Sequence, residues 1–142
     1  MRHRSAPSAR RLSELRTLAT FSTFTDADLA DVAGRLTDLD APPGTVLIRE
    51  GQPGREAFIV ASGVAELRVD GQTVGRVTTG DLVGEMSLLD ARPRSATVVA
   101  VTQMRLLVMD PSEFASLLED PRTARWVAAN LSNRVRDWGH RS

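Results

Sequence analysis

Leu82-Val83-Gly84-Glu85-Met86-Ser87-Leu88-Leu89-Asp90-Ala91-Arg92-Pro93-Arg94-Ser95-Ala96 interrupts an otherwise strand-rich region of the chain. Gly84 permits close backbone approach, and Glu85 to Leu89 is long enough for about one and a half helical turns. The free amides at such a helix start, backed by the positive end of the helix dipole, form an anion site that a phosphate fits. Pro93 holds Arg92 extended, so that Arg94 and the Ser95 amide face the same anion. Arginine offers two parallel donors to two phosphate oxygens, which lysine does not. Glu85 is an acceptor beside an anion site and does not suit phosphate; it suits a neutral sugar hydroxyl on the same ligand. Taken singly, each residue has an ordinary role: Gly84 in a turn, Glu85 at a helix start, Arg94 in solvent, Ser95 in a strand. Their order inside one strand-rich region is what points to a ligand.

Outward from this stretch, residues 38 to 109 carry short apolar segments divided by Gly, Pro and Asp. These are Val46 to Ile48, Ala57 to Val60, Val64 to Val69, Thr73 to Val77, Thr97 to Val101 and Met104 to Met109. Asp70-Gly71 marks a hairpin between two of them. So many short strands in so small a span imply a jelly roll or closed barrel, which hides its edges. Helical spacing brackets them. Leu12, Leu15, Leu18 and Ala19 predict an amphipathic helix over roughly residues 8 to 20, with Phe21 and Phe24 packing the turn behind it. Thr25-Asp26-Ala27-Asp28 reads as a capping box opening a second helix to about residue 36. Asp110-Pro111-Ser112-Glu113 repeats that signal before Phe114, Leu117 and Leu118, and Asp120-Pro121 opens a long final helix through Val127, Leu131, Arg134, Val135 and Trp138 to about Gly139. The fold class is α+β: a β jelly-roll barrel with helices at the N-terminus and a long C-terminal helix.

Composition narrows the function. The 142 residues suit one domain, with no room for a second catalytic or DNA-binding one. The 18 basic and 18 acidic residues cancel, so no overall field draws the chain to nucleic acid or membrane. Every basic residue is arginine, which suggests a GC-rich, bacterial source. Cysteine is absent, which excludes disulfides and thiolate chemistry. His3 and His140 stand at opposite ends, so neither an inward-facing metal set nor a Ser/His/Asp arrangement is available, and an enzyme is not expected. No apolar run is long enough for a membrane span, and the N-terminus lacks the apolar stretch of a signal peptide, so a cytoplasmic protein is expected. Arg2, Arg4, Arg10, Arg11 and Arg16 crowd the first residues without interleaved aromatics; residues 1–11 read as a basic, flexible arm and 12–142 as a single domain.

Gly84-Glu85-Met86-Ser87-Leu88-Leu89, followed by Pro93-Arg94-Ser95-Ala96-Thr97-Val98, resembles the phosphate-binding cassette of cyclic nucleotide-binding domains, the family of the catabolite activator protein and the regulatory subunits of cAMP-dependent protein kinase. The resemblance extends to Gly44, Glu50-Gly51, Phe58-Ile59-Val60, Ser62-Gly63 and Gly80-Asp81, and covers roughly residues 12 to 138. It implies that Glu85 binds the ribose 2′-hydroxyl, Arg94 the exocyclic phosphate oxygens, and the Ser87 and Ser95 amides the rest of the phosphate. Val83, Gly84, Met86 and Ala96 complete the ligand-binding set, with Val83 nearest the cassette among the apolar side chains lining sugar and base. The expected ligand is a cyclic nucleotide, cAMP ahead of cGMP on the ground of the inferred bacterial source, with no further cofactor. Signalling is a rearrangement of the final helix, read by a separate effector protein or through self-association. Val127, Leu131, Val135 and Trp138 form the candidate lid; Trp126 and Trp138 are equally well placed as core or dimer contacts. One departure stands out. Many relatives place Asp or Glu after the second-loop glycine, whereas this chain has Gln52, an uncharged and weaker acceptor for Arg94. The alternative is therefore a domain unresponsive to nucleotide that serves as a protein-interaction module.

Overall fold

The computed structural model describes residues 9–52, 56–84, 94 and 96–129. Among the described residues, eight strands form two four-stranded antiparallel sheets. They are β1 (Thr37–Ala41), β2 (Val46–Ile48), β3 (Ala57–Ser62), β4 (Ala65–Val69), β5 (Gln72–Val77), β6 (Leu82–Val83), β7 (Thr97–Ala100) and β8 (Met104–Met109). One sheet has the order β1-β8-β3-β6 and the other β2-β7-β4-β5. The helices are α1 (Ala9–Arg16), a 3₁₀ turn (Ala19–Phe21), α2 (Asp26–Gly34) and α3 (Pro111–Leu118), with residues 121–129 also helical. This is an α+β arrangement.

The first sheet is the middle layer, and its strands read accordingly. Successive side chains on a strand point to opposite faces. Ala57, Ile59, Leu107 and Met109 face the helices, where they meet Leu15, Phe21, Leu29, Leu36, Phe114 and Val127. Phe58, Val60, Leu106 and Val108 face the second sheet and meet Ile48, Leu67, Val77 and Val98. Every residue of β8 is consequently buried. A strand covered on both sides shows a continuous apolar run, which is what Met104 to Met109 displays apart from Arg105.

Arg105 is the exception because it has dedicated partners. It points to the helical side, only 5% exposed, and its guanidinium donates to both carboxylate oxygens of Glu14 at 3.1 and 2.9 Å. It also pairs with Asp38 at 3.2 Å. Arg11 donates to Asp38 at 2.9 Å and to the Ala33 carbonyl at 2.8 Å. Burial raises the pKa of Asp38, but the two arginines outweigh it and hold the carboxyl below its ordinary range. The network fastens α1 to α2, β1 and β8. Arg16 likewise pairs with Asp26 at 2.6 Å and Arg10 lies 3.7 Å from Glu14, so three of the crowded N-terminal arginines have structural partners.

Local signals mostly form where they are expected. Asp70 and Gly71 both take positive φ, 52° and 80°, as a two-residue hairpin turn requires. Both capping boxes close: Thr25 with Asp28, and Asp110 with Glu113. The first helix is shorter than its periodicity suggests, because Leu18 is extended at φ −83°, ψ 131° and the chain resumes as the 3₁₀ turn. β1 has no counterpart among the expected strands. Its Thr-Asp-Leu-Asp-Ala is polar because it is an edge strand, paired only with β8. β6 is the first part of the interrupting stretch, with Val83 opposite Phe58. The final helix beyond residue 129, including Leu131, Arg134, Val135 and Trp138, lies outside the described residues. Among the described residues no helix is long and apolar enough to cross a membrane.

Candidate functional site

The site grows from Gly84. It ends β6 at φ +90°, a conformation that favours glycine, and there is no room for a side chain. A Cβ there would lie 2.6 Å from Arg94 Nη1 and 2.9 Å from the Glu56 carbonyl oxygen. That absent methyl leaves the path along which the arginine passes.

Arg94 is 8% exposed and is held at both ends. Its Nη1 donates to the Gly84 carbonyl at 2.8 Å and its Nη2 to the Glu56 carbonyl at 2.6 Å. Its backbone N–H donates to the Gln52 carbonyl at 2.8 Å, while its own carbonyl accepts from the Gly51 N–H at 2.9 Å. One residue thus ties together the end of β6, the residue before β3 and the loop after β2. Gln52 meets Arg94 through its main chain here, so this backbone pairing does not depend on whether the side chain is an amide or a carboxylate. The adjoining strand is fixed in turn by Thr97, whose hydroxyl accepts from the Glu50 N–H at 3.0 Å.

Beside Arg94 lies a groove of about 380 Å³. Val46, Leu47, Ile48 and Phe58 form its apolar side, and Arg49, Gln52, Glu56 and Arg94 its polar side. Such a mixture can seat a compact amphipathic anion, with phosphate toward the guanidinium and an organic part against the strand residues. A larger groove of about 450 Å³ between α2 and α3 shares no residue with it. Arg122 is bound there to Asp28 and Asp120 and lies over the Phe24 ring at 3.8 Å. That groove is lined by groups already paired with each other, so the chemistry favours the smaller one. Among the described residues no cluster of His, Asp or Glu is arranged to hold a metal ion.

Of the residues that the sequence singles out, the structure brings Gly84 and Arg94 into direct contact. Val83 is 1% exposed and packs in the core between the sheets, and Ala96 is 7% exposed. Glu85, Met86, Ser87 and Ser95 lie outside the described residues. Trp126 packs against Phe21, ring centroids 5.7 Å apart, in the helical core. Sequence reasoning missed Glu56, which acts through its carbonyl and leaves no side-chain signal. It also missed Arg49, which spacing alone does not distinguish from other arginines.

Comparison with known proteins places the chain in a family. Residues 39–121 match the family model of the cyclic nucleotide-binding domain, and the chain belongs to that family. It is 36% identical over 115 residues to a cAMP-dependent protein kinase regulatory subunit of Pyricularia oryzae, covering 78% of this chain and 30% of that protein. It is 35% identical over 104 residues to the Pycsar effector protein XpPycTIR of Xanthomonas perforans, covering 72% of this chain and 34% of the relative. The crystal structure of the Thermus thermophilus catabolite activator protein superposes with a TM-score of 0.72 at 30% identity, over 86% of this chain and 60% of that one. The chain spans about a third of the length of the two curated relatives.

Proposed function

We propose that this domain is a second-messenger sensor that binds a cyclic nucleotide, cAMP ahead of cGMP, and performs no chemistry of its own. The observation that carries the reading is the clasp on Arg94. A buried guanidinium, set by two carbonyls and walled by Gly84, is a preorganised receptor for one phosphate charge. Around it Glu85 accepts from the ribose 2′-hydroxyl, and the Ser87 and Ser95 amides complete the phosphate cradle. Val83, Gly84, Met86 and Ala96 complete the ligand-binding set. The two sheets act as halves of a jelly roll. The final helix shifts when ligand binds, and the shift is read by a separate effector or by self-association. A bacterial cytoplasm is the proposed setting. The cAMP preference rests on that setting and on the name of the kinase relative.

A second reading is favoured by Gln52, where many family members carry a carboxylate: a domain that no longer responds to nucleotide and serves as an interaction module. Thermal unfolding separates the two. At a ligand concentration of 100 times Kd, linkage adds about 2.7 kcal/mol, which raises Tm by about 5–10 °C. Linear AMP should stabilise less. If millimolar cAMP and cGMP both leave the melting curve unmoved, the sensor reading is wrong.

A further inference from the structure

Arg49 occupies an unusual position among the arginines. Arg11, Arg16, Arg35, Arg68, Arg105 and Arg122 are in ion pairs of 3.4 Å or shorter. Arg10 and Arg76 each have a carboxylate at 3.7 Å. Arg125 donates to the Pro121 carbonyl and Arg94 to two carbonyls. Among the described residues, Arg49 is the one arginine whose side chain has neither a carboxylate nor a carbonyl partner. It is exposed, and it lines the groove beside Arg94.

The loop that carries it is not loose. The Arg49 carbonyl accepts from the Gln52 N–H at 3.2 Å, and Gln52 in turn accepts from the Arg94 N–H. Arg49 and Arg94 are therefore fixed through the same short turn. Among the described residues, two guanidinium groups line the groove with one carboxylate, that of Glu56. The two cations differ in access. Arg94 is 8% exposed and engaged by main-chain carbonyls, so an anion arriving from solvent meets Arg49 first.

We propose that Arg49 is a second anion-binding residue of this site, which captures the ligand's phosphate in the groove and passes it to Arg94. The ligand's identity rests on the cyclic nucleotide reading; the two-arginine anion site does not. An exposed charge that steers a ligand changes the association rate and its salt dependence, whereas a contact in the final complex changes dissociation. The field of such a charge is screened within about 8–10 Å at physiological salt.

The test is stopped-flow binding of a fluorescent cAMP analogue to the full chain and its Arg49→Gln and Arg49→Lys variants. At 20 mM salt, Arg49→Gln should associate about three to ten times more slowly than the parent, and the difference should vanish by 0.5 M salt. Dissociation should stay within about twofold, and Arg49→Lys should restore most of the rate. A parallel melting experiment uses inorganic phosphate and pyrophosphate, whose stabilisation should shrink in Arg49→Gln. If the analogue binds and Arg49→Gln matches the parent in association and salt slope, or only speeds dissociation, the role of Arg49 is overturned while the sensor reading stands. If no cyclic nucleotide binds but phosphate stabilisation depends on Arg49, the sensor reading falls and the anion site stands. If neither nucleotide nor phosphate acts, both fall.

Discussion

Gly84→Ala probes the clasp without any ligand. The added methyl falls 2.6 Å from Arg94 Nη1 and 2.9 Å from the Glu56 carbonyl, at a backbone φ of +90°. Two costs arise. Holding an L-residue in the left-handed region costs about 1–2 kcal/mol. Displacing the guanidinium loses a charge-assisted hydrogen bond to a carbonyl, about 1.5–3 kcal/mol. The sum is about 2.5–5 kcal/mol, a large part of the stability of a domain this size. The two costs separate in a double-mutant cycle with Arg94→Ala, measured by urea unfolding. With the arginine gone, only the backbone cost and the Glu56 contact remain, so Gly84→Ala should become milder by about 1.5–3 kcal/mol. Equal destabilisation in both backgrounds would refute the claim that Gly84 exists to admit the guanidinium.

Arg94→Ala should weaken cyclic nucleotide binding by about 2–5 kcal/mol and Glu85→Ala by about 1–3 kcal/mol, while Arg92→Ala does little; titration calorimetry would expose a diffuse basic patch if Arg92 and Arg94 lost equally. Removing Arg105 leaves Glu14 without its principal partner and Asp38 with Arg11 alone, so Arg105→Ala should cost about 3 kcal/mol in denaturant unfolding. Because Asp38 is held below its ordinary value in the folded state, its stabilising share is complete above about pH 4 and is lost as pH falls through the lowered value. An Asp38→Asn variant should therefore lose less stability than the parent between about pH 4 and pH 2 in acid unfolding curves. Asp110 caps α3 by accepting from the Ser112 and Glu113 amides, so Asp110→Ala should destabilise by about 1–2 kcal/mol, seen as a lower Tm.

Much of the architecture is written in patterns that a reader of sequence can follow. The Asp70-Gly71 turn and the two capping boxes are local and specify their own geometry. The alternation in β3 and the unbroken run of β8 follow from which faces are covered. β1 escapes because its stability comes from outside itself: Asp38 is held by Arg11 and Arg105, 27 residues away in the first case. The site divides in the same way. Gly84 and Arg94 are side-chain choices that the chemistry forces, so they stand out in the sequence. The Glu56 and Gln52 carbonyls are common to every residue type, and nothing in one letter reveals which main-chain oxygen an arginine will find. The partner network of Arg11 and Arg105 is equally hidden, since an arginine-rich stretch looks the same whether it is solvated or buried.

β8 offers a built-in gauge of the whole domain. It lies between β1 and β3 and is covered on both faces, so its amides have no route to water short of disrupting the sheet. Their hydrogen exchange should proceed through global opening, while amides of the edge strands β1 and β6 exchange through local fraying. Exchange at Leu106 to Val108 would then report total free energy directly, and a bound ligand would slow it by the full factor of 1 + [L]/Kd. Amides in the interior of the sheet would thus read the occupancy of the phosphate clasp beside its edge strand β6.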